Sequence, residues 1–353
     1  MQPESSLPRL DSPEGILWQM IDGKISSQVV YALARLRIAD ALGDGGKDAR
    51  ELAELVGCDP DSLERFLRVA VGLHLLESDP SGAYAPTPLM ECLRNDHPSR
   101  LSAWAIHHGN EWNWRPWGEL AHAIQTGASG SEKALGRGIF EFLADHPDQA
   151  QAFHEVMADL AARMAVAVAE AYDFTPIRTL VDVGGGRGAL ISEVLARHPH
   201  MHGTVFDLEP ALAEAPPTLT QAGVRDRCKL VAGNFFEGVP PGADAYVLSH
   251  VLHDWDDERA RRILQGVRAA AHGESRVLIV ETVLPEADVP LLLALLDLQV
   301  MVVLGGRERT EREFGALLES AGFDLVQVVY VGWLRDAPVD LRLAVIEGRP
   351  RQL

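Results

Sequence analysis

The ten residues LSHVLHDWDD, from Leu248 to Asp257, bring together side chains that can hold a metal ion or move a proton. They include two histidines three positions apart and three aspartates within four residues. An imidazole titrates near neutral pH, so it can accept a proton, and it is also a common metal ligand. The stretch therefore permits three interpretations: a metal site, a catalytic base, or an ordinary strand end that leads into a helix.

Two glutamates elsewhere in the chain favour the catalytic base. Glu281 ends the predicted strand RVLIVETVLP, where a buried acid is unexpected unless it has a function. Glu308 lies in GGRERT, on a loop that could return to the same place. Such acids orient a histidine ring and stabilise the imidazolium that forms when the ring takes a proton. His253 is therefore the candidate general base for a phenol-like hydroxyl, and Asp256 or Asp257 is the candidate cap of the next helix.

A metal site is the competing interpretation of this stretch. His250 and His253 have an odd spacing, which would place them on opposite faces of a regular strand. A bend at the strand end could still bring the two rings together. The prediction is that no metal is bound, and a metal near His250 and His253 is kept as the alternative.

A glycine-rich loop lies between a predicted strand and a predicted helix in TLVDVGGGRGAL. Gly184, Gly186 and Gly188 let the backbone turn tightly and let a ligand approach closely. Asp207 ends the next strand, 19 residues after Gly188, where a carboxylate can accept hydrogen bonds from ribose hydroxyls. NAD and S-adenosyl-L-methionine (SAM) both carry a ribose, so these two features alone leave both cofactors open.

Four observations favour SAM over NAD. The loop reads GxGxG rather than GxGxxG, and no second set of strand–helix units follows for a nicotinamide half. The predicted sheet closes with two strands that have no helix between them, and an acidic site suits a sulfonium cation better than a pyrophosphate.

Asn234 and Phe235 of GNFFEG, and Trp255, follow predicted strands at the carboxyl edge of the sheet, where open α/β folds bind ligands. They are the candidates for contacts with adenine.

The elements that must position these residues follow two different patterns. From residue 173 to residue 353 strands alternate with helices, which predicts a parallel sheet with helices on both faces and an antiparallel strand at its end. Residues 1–100 read as helices followed by a hairpin at LLESDPSGAYAPTP, which is the pattern of a winged helix. Residues 101–172 are helical and rich in tryptophan and histidine. They predict a helical linker region that contributes to a ligand pocket.

Composition excludes several classes of partner. The 353 residues carry 32 Lys and Arg against 51 Asp and Glu, a formal net charge of −19, and the first 100 residues carry a net charge of −6. A nucleic-acid binder would need a basic face, which this sequence does not show. Three isolated cysteines, and an N-terminus without a basic and apolar leader, predict a cytoplasmic protein. The apolar run at 290–305 is interrupted by Asp297 and Gln299, and it predicts a buried helix rather than a membrane span.

Self-association is predicted from the segment YALARLRIADAL. This segment contains more apolar surface than a single small domain easily covers, which favours packing against a second copy. The prediction is a homodimer formed through the N-terminal domain, with no nucleic-acid partner and no membrane partner.

The chain resembles the plant-type O-methyltransferase family and its bacterial members in secondary metabolism in five segments: HDWDDERARRIL, ETVLP, GGRERT, VDVGGGRG and VFDL. The resemblance covers nearly the whole chain. It implies an α/β fold of the class I methyltransferase type, with a Rossmann-like seven-stranded sheet preceded by a mostly helical, winged-helix dimerisation domain. It also implies that His253 is the base between two glutamates, and that the glycine loop and Asp207 bind SAM, which becomes S-adenosyl-L-homocysteine.

Further site residues follow from the same resemblance. The family often has a lysine near the position of Ser249, which makes Ser249 a candidate cofactor contact. The family's acceptor pocket uses the helix before the glycine loop and the segment around Met301. With His107 of AIHHGNEW, which could meet polar groups of the acceptor, the acceptor-contact candidates are His107, Phe153, Met157, Leu160 and Met301.

The function that the resemblance implies is SAM-dependent O-methylation of a hydroxyl on a small aromatic or polyketide-type secondary metabolite. One alternative keeps SAM but changes the acceptor, to the carbon beside the carbonyl of a 2-oxo acid, with help from a metal. Another alternative is a regulator that senses a small molecule and uses its winged helix on DNA. The acidic first domain counts against the regulator.

Overall fold

The computed structural model describes residues 11–43, 45–332 and 341–351. Contacts between residues group the chain into two units, Met1–Trp114 with His146–Val156, and Arg115–Asp145 with Met157–Leu353. One long helix, Pro147–Ala171, contributes to both units. This grouping is not a test of the predicted domains 1–100, 101–172 and 173–353, which stay predictions.

The first unit consists of helices and one hairpin. Its elements in chain order are α1 (Pro13–Arg35), α2 (Ile38–Leu42), α3 (Ala49–Val56), α4 (Pro60–Gly72), β1 (Leu76–Ser78), β2 (Tyr84–Pro86), α5 (Pro88–Glu91), α6 (Leu101–Gly109) and the start of α7 (Glu111–Trp117). Asp59 caps α4 by accepting a hydrogen bond from the Ser62 N–H, and Pro60 takes the first helical position. β1 and β2 pair antiparallel, so the predicted hairpin is present after the helices.

The core of the first unit uses the segment YALARLRIADAL. Leu33, Ile38, Ala39 and Leu42 are buried inside this unit. The prediction that this segment leaves its apolar surface uncovered is therefore wrong, because its helices face the core of the unit itself. The exposed apolar side chains lie earlier on α1, at Ile16, Leu17, Trp18, Met20, Ile21 and Ile25.

The second unit alternates helices and strands around a large sheet. Its elements begin with the end of α7 and continue with α8 (Leu120–Thr126), α9 (Gly130–Leu135), α10 (Ile139–Ala144), α11 (Pro147–Ala171, from Met157 onward), β3 (Thr179–Val183), α12 (Ala189–Arg197), β4 (His202–Asp207), α13 (Glu209–Leu212), α14 (Ala215–Gln221), β5 (Cys228–Ala232), β6 (Ala245–Ser249), α15 (Asp257–Ala270), β7 (Arg276–Leu284), α16 (Leu291–Leu304), β8 (Arg309–Thr310), α17 (Glu311–Ser320), β9 (Phe323–Tyr330) and β10 (Leu343–Pro350).

The sheet has the strand order β5–β4–β3–β6–β7–β10–β9, and the two-residue β8 pairs with β7. The strands from β3 to β7 pair with one another in parallel, whereas β10 is antiparallel to both β7 and β9. The predicted seven-stranded sheet with an antiparallel closing strand is confirmed, and β8 is an addition. Strands such as AYVLS in β6 are buried along nearly their whole length, as expected for a parallel sheet covered by helices.

The apolar helix α16 is only partly buried. Leu293, Val300 and Val303 lie in the interior, but Leu291 and Leu295 are 75% and 45% exposed. The prediction of a buried helix is therefore wrong for its first two turns. Among the described residues, no helix has both the length and the apolar character that crossing a membrane requires.

Candidate active site

Three chain segments meet at the carboxyl ends of β6 and β7. β6 ends at Ser249, which is half-buried, and the chain then turns because His250 adopts a left-handed backbone with a φ of 53°. A single 3₁₀ turn from Leu252 to Asp254 follows, and this turn carries His253. β7 supplies Glu281, and the loop between α16 and β8 supplies Glu308.

His253 lies close to three carboxylates. Its Nδ1 is 3.0 Å from Glu308 Oε1 and 3.7 Å from Glu281 Oε2. Its Nε2 is 3.3 Å from Asp254 Oδ1. The side chains of Glu281 and Glu308 are 0% and 1% exposed, so solvent does little to screen these charges. The three residues that the sequence assigns to catalysis therefore lie together, and Asp254 is an additional acid to which the sequence reasoning gave no role.

The carboxylates control the protonation of His253. Burial disfavours a charged imidazole, but the negative charges of Glu281, Glu308 and Asp254 outweigh burial and raise the pKa of His253 to about 10. Burial also raises the pKa of Asp254 to about 6 and that of Glu281 to about 7, although the charge of His253 opposes both shifts. In this arrangement His253 carries its proton at neutral pH.

Glu281 holds the backbone of the turn more directly than it holds the ring. Its Oε1 accepts hydrogen bonds from the backbone N–H groups of Val251, Leu252 and His253, at 3.1, 2.9 and 3.3 Å. Its Oε2 faces His253 and has no hydrogen-bond partner in the described part of the chain. Glu281 therefore fixes the turn and adds charge, whereas Glu308 makes the direct hydrogen bond to the imidazole.

Arg309 also holds the 3₁₀ turn through hydrogen bonds, and the sequence reasoning missed this residue. The Arg309 side chain is 1% exposed, and its guanidinium donates to the carbonyl oxygens of Leu252 at 3.0 Å and Trp255 at 2.9 Å. It also donates twice to Asp257 Oδ1, at 3.0 and 2.8 Å. These bonds bring charged donors to carbonyl groups of the irregular turn, and the Leu252 carbonyl also accepts the Trp255 N–H at 3.3 Å. The available signal was an arginine beside Glu308 in GGRERT.

Gly306 allows the GGRERT loop to lie directly against the turn. The Arg307 N–H donates to the His253 carbonyl oxygen at 2.9 Å. An added Cβ on Gly306 would stand 1.9 Å from that same oxygen and 2.6 Å from the carbonyl carbon of Asp254. Only glycine fits this backbone-to-backbone contact, so Gly306 is a second positional residue that the sequence reasoning missed.

The bend after β6 does bring the two histidines together. The rings of His250 and His253 meet edge to face, with centroids 5.2 Å apart. Burial, and the neighbouring charge of His253, lower the pKa of His250 to about 3, so His250 is a neutral neighbour. The set that could hold a metal is a different one, because His253, Glu281 and Glu308 offer ligand atoms that all lie within 4.8 Å of one another. Imidazole and carboxylate ligands would suit a divalent transition metal.

The glycine loop and the acid after β4 are joined by hydrogen bonds. Gly184, Gly186 and Gly188 have φ values of 72°, 51° and 74°, a backbone region that favours glycine. The Gly186 N–H donates to Asp207 Oδ2 at 2.8 Å, and the Leu208 N–H donates to Asp207 Oδ1 at 2.7 Å. The four residues predicted from spacing therefore form one structure at the ends of β3 and β4.

Asp182 lies directly beneath this loop and was also missed. It is 1% exposed, and an added Cβ on Gly185 would stand 2.6 Å from its carboxyl carbon. Burial, reinforced by the charge of Asp207, raises the pKa of Asp182 to about 7. The signal in the sequence was a single acid inside the apolar strand TLVDV.

The loop offers SAM both space and complementary charge. An added Cβ on Gly184 would clash with Val251 at 2.8 Å, whereas nothing lies within 4 Å of an added Cβ on Gly186. Each Asp207 oxygen accepts one backbone hydrogen bond, so each retains an acceptor site for a ribose hydroxyl. The acids around His253 add negative charge that suits a sulfonium. The residues present therefore fit SAM.

The candidates for adenine contacts form an aromatic group. The ring centroid of Trp255 lies 6.2 Å from Phe235 and 5.0 Å from Phe236, and both contacts are edge to face. The Arg259 guanidinium lies 5.2 Å from the Trp255 centroid and covers one face of that ring. Asn234 accepts a hydrogen bond from the Phe236 N–H at 3.0 Å, which shapes the loop after β5.

The acceptor-contact candidates divide between the two units. In the first unit, the rings of His107 and Phe153 stack with centroids 5.8 Å apart, and His107 meets Trp112 edge to face at 4.6 Å. Burial is the main reason that the pKa of His107 falls to about 3, so this ring is neutral. The candidates in the second unit, all half-buried, are Met157, Leu160 and Met301.

Two models of known domains match this chain. The O-methyltransferase domain matches residues 117–324, and the O-methyltransferase dimerisation domain matches residues 18–96. The chain therefore belongs to the O-methyltransferase family, and it carries that family's dimerisation domain. It is a SAM-dependent O-methyltransferase.

Individual relatives agree with this assignment. The chain is 39% identical to the phenazine O-methyltransferase PhzM of Lysobacter antibioticus, over 95% of this chain and 96% of that protein. Its fold is similar to that of the mitomycin 7-O-methyltransferase MmcR, with a TM-score of 0.89, 31% identity and coverage of 96% and 98%. A further similar structure is the O-methyltransferase NcsB1 in complex with S-adenosyl-L-homocysteine and 1,4-dihydroxy-2-naphthoic acid, with a TM-score of 0.83, 31% identity and coverage of 92% and 96%.

Proposed function

We propose that this enzyme methylates a phenolic hydroxyl of a small aromatic, polyketide-type or phenazine-type metabolite, with His253 as the general base. The observation that carries the proposal is the 3.0 Å contact between His253 Nδ1 and Glu308 Oε1. A ring that donates its Nδ1–H to a carboxylate keeps Nε2 as the nitrogen that takes up a proton. The relatives named above support an aromatic acceptor, because their names describe a phenazine enzyme and a complex with a dihydroxynaphthoic acid.

The raised pKa of His253 favours a phenol over an aliphatic alcohol. A phenol of the tyrosine type has a pKa near 10, and His253 has a pKa of about 10. Transfer of the proton between two groups of equal pKa is close to isoenergetic, whereas transfer to an ordinary imidazole would be uphill by about 5 kcal/mol. Only the neutral fraction of His253 can accept that proton, so turnover should rise as the pH approaches the pKa of His253.

Each residue of the site has a separate part in this proposal. His253 Nε2 takes the hydroxyl proton as the oxygen becomes nucleophilic, and Glu308 stabilises the imidazolium through Nδ1. Glu281 holds the turn so that the ring keeps its orientation. SAM supplies an electrophilic methyl group on a sulfonium. Alignment of the acceptor oxygen by the protein should provide much of the acceleration.

The cofactor contacts are proposed residue by residue. Gly184, Gly186 and Gly188 let the loop lie close to SAM, and Asp207 accepts hydrogen bonds from the ribose hydroxyls. The geometry of the loop supports these four positions. The contacts proposed for the adenine side are Asn234, Phe235, Ser249 and Trp255. The Arg259 guanidinium lies over one face of Trp255, so stacking with adenine is proposed on the opposite face.

The acceptor contacts and the assembly complete the proposal. The acceptor contacts stay those predicted from the sequence: His107, Phe153, Met157, Leu160 and Met301. The enzyme is proposed to be a homodimer in which the exposed apolar residues of α1 are covered, and its three free cysteines suit the cytoplasm. Light scattering of the purified protein tests the dimer, and a monomer at micromolar concentration would contradict it.

Product analysis tests the function. The protein is incubated with methyl-labelled SAM and a panel of hydroxylated phenazines, hydroxynaphthoic acids, aromatic amines and 2-oxo acids, and products are identified by mass. We expect label on a phenolic oxygen. Label on carbon, with loss of activity after chelation, would support the metal-assisted alternative instead. Tight, sequence-specific retention on DNA at physiological salt with no methylated product would support the regulator.

Replacement of the base tests the mechanism. His253→Ala should lower turnover by roughly 10²- to 10⁴-fold and leave the Kd for SAM nearly unchanged, because the glycine loop and Asp207 are untouched. His272→Ala, at an exposed histidine of the same unit, is the control and should behave as wild type. Wild-type turnover in His253→Ala would show that His253 is not the base.

A further inference from the structure

The helix α16 carries one charged side chain, and that side chain is used inside the protein. The sequence LLLALLDLQVMVVL is apolar apart from Asp297 and Gln299. Asp297 Oδ1 accepts a hydrogen bond from the backbone N–H of Glu308, with a distance of 2.8 Å. Glu308 in turn contacts His253 Nδ1 at 3.0 Å. Asp297 is thus two contacts away from the imidazole.

We propose that Asp297 is a positioning residue. It fixes the backbone of Glu308 and thereby the position of the Glu308 carboxylate relative to the His253 ring. This inference rests on the proposed role of His253 as the base. A carboxylate that accepts a backbone N–H makes a charge-assisted hydrogen bond, which is stronger than a neutral one. The bond therefore ties the middle of α16 to the residue that holds the imidazole.

The surroundings of Glu308 explain why one such anchor matters. The neighbouring loop residues are fastened to the 3₁₀ turn: Arg307 N–H donates to the His253 carbonyl, and Gly306 lies against the same carbonyl. Those contacts set the loop against the turn but do not bind the backbone N–H of Glu308. Within the described residues, the hydrogen bond to that N–H comes from Asp297.

The position of Asp297 also links the base to the acceptor. Asp297 and Met301 are four residues apart on α16, so their side chains lie on the same face of the helix. Met301 is one of the residues proposed to contact the acceptor. A displacement of this face by an ill-fitting acceptor would therefore move Asp297 and, through it, Glu308. We expect such acceptors to lose turnover rather than affinity alone.

The test compares two polar residues of the same helix. Asp297→Ala removes the anchor, and Asp297→Asn keeps an oxygen that can accept the Glu308 N–H. Gln299→Ala is the matched control, because Gln299 lies on the same helix as Asp297 and accepts a 2.6 Å hydrogen bond from the Trp117 side chain of α7. For Asp297→Ala we expect kcat to fall about 10- to 100-fold. Asp297→Asn should recover most of this loss, and Gln299→Ala should not reproduce it.

The pH profile separates positioning from simple destabilisation. A Glu308 carboxylate that is no longer held below the ring stabilises the imidazolium less, so the pKa of the base falls. The rising limb of kcat should therefore move to lower pH in Asp297→Ala, in the same direction as in Glu308→Gln. Glu281, Asp254 and His250 also face His253 and are unchanged in this variant, so they cannot cause the shift.

The outcomes distinguish the two proposals. Loss of turnover in His253→Ala together with wild-type kcat and pH profile in Asp297→Ala would overturn the inference alone. The inference would also be overturned if Asp297→Ala and Gln299→Ala lowered kcat equally and the rising limb of the pH profile did not move. Both substitutions would then act through the stability of the helix. Wild-type turnover in His253→Ala would instead overturn the proposed base. The Kd for SAM, measured in every variant, should stay near that of wild type.

Discussion

Asp182→Asn should make the protein more stable at alkaline pH than the wild type. The side chain is 1% exposed, and the pKa of its carboxyl is about 7 against an ordinary value of 3.8, mainly because of burial and secondarily because of Asp207. The folded chain therefore binds this proton more tightly than the unfolded chain does. The neutral acid contributes stability below pH 3.8, and that contribution is lost as the pH rises through 7.

The expected size follows from the two pKa values. Between pH 5 and pH 8 the group should cost the wild type roughly 2–3 kcal/mol of unfolding free energy. Asparagine has nearly the same shape, keeps an oxygen for the Ile191 N–H that hydrogen-bonds to this carboxyl, and does not ionise. The unfolding free energy of Asp182→Asn should therefore not show this part of the decline as the pH rises.

Urea unfolding at pH 5 and at pH 8 measures the effect. The two units need not unfold together, so the relevant transition is the one that added SAM shifts to higher urea. Asp226→Asn, at an exposed acid of the same unit, is the control and should follow the wild type at both pH values. Equal losses of stability in Asp182→Asn and wild type between pH 5 and pH 8 would refute the reasoning.

Two further predictions concern the contacts that hold the 3₁₀ turn. Gly306→Ala should lower turnover about 100-fold, because its Cβ would stand 1.9 Å from the His253 carbonyl oxygen and the loop must move; wild-type turnover in a steady-state assay would contradict this. Arg309→Lys should cost about 2–4 kcal/mol in urea unfolding, because an ammonium cannot reach both buried carbonyls and Asp257. Unchanged unfolding in that variant would show that the turn does not depend on Arg309.

Much of the fold could be predicted because each element is locally consistent. Asp59 at the N-cap and Pro60 in the first turn mark the start of α4, and both residue types are typical of those positions. The alternation after residue 173 predicted a parallel sheet, and parallel strands place their carboxyl ends at one edge. That rule is enough to bring the glycine loop, Asp207 and His253 to the same edge of the sheet without any knowledge of side-chain contacts.

The tertiary partners of the site could not be predicted in the same way. The bond between Asp297 and the Glu308 N–H joins a helix to the loop after it, and nothing in the local pattern of α16 specifies it. Arg309 reads as one more surface arginine, yet it is 1% exposed because irregular carbonyls of a distant segment need its donors. Likewise, the burial of Leu33 and Ile38 depends on which helix face meets the core. The sequence reasoning therefore placed the exposed apolar surface at YALARLRIADAL, whereas it lies on the earlier turns of α1.

The two glutamates beside His253 are not equivalent, although the sequence treats them as a pair. Glu281 uses one oxygen for three backbone N–H groups and reaches the ring only at 3.7 Å. Glu308 contacts the ring at 3.0 Å and is itself held through its backbone. One acid therefore builds the turn while adding its charge, and the other makes the direct hydrogen bond to the imidazole. A site made this way can adjust the position of Glu308, and with it the basicity of His253, without unfolding the turn that carries the base.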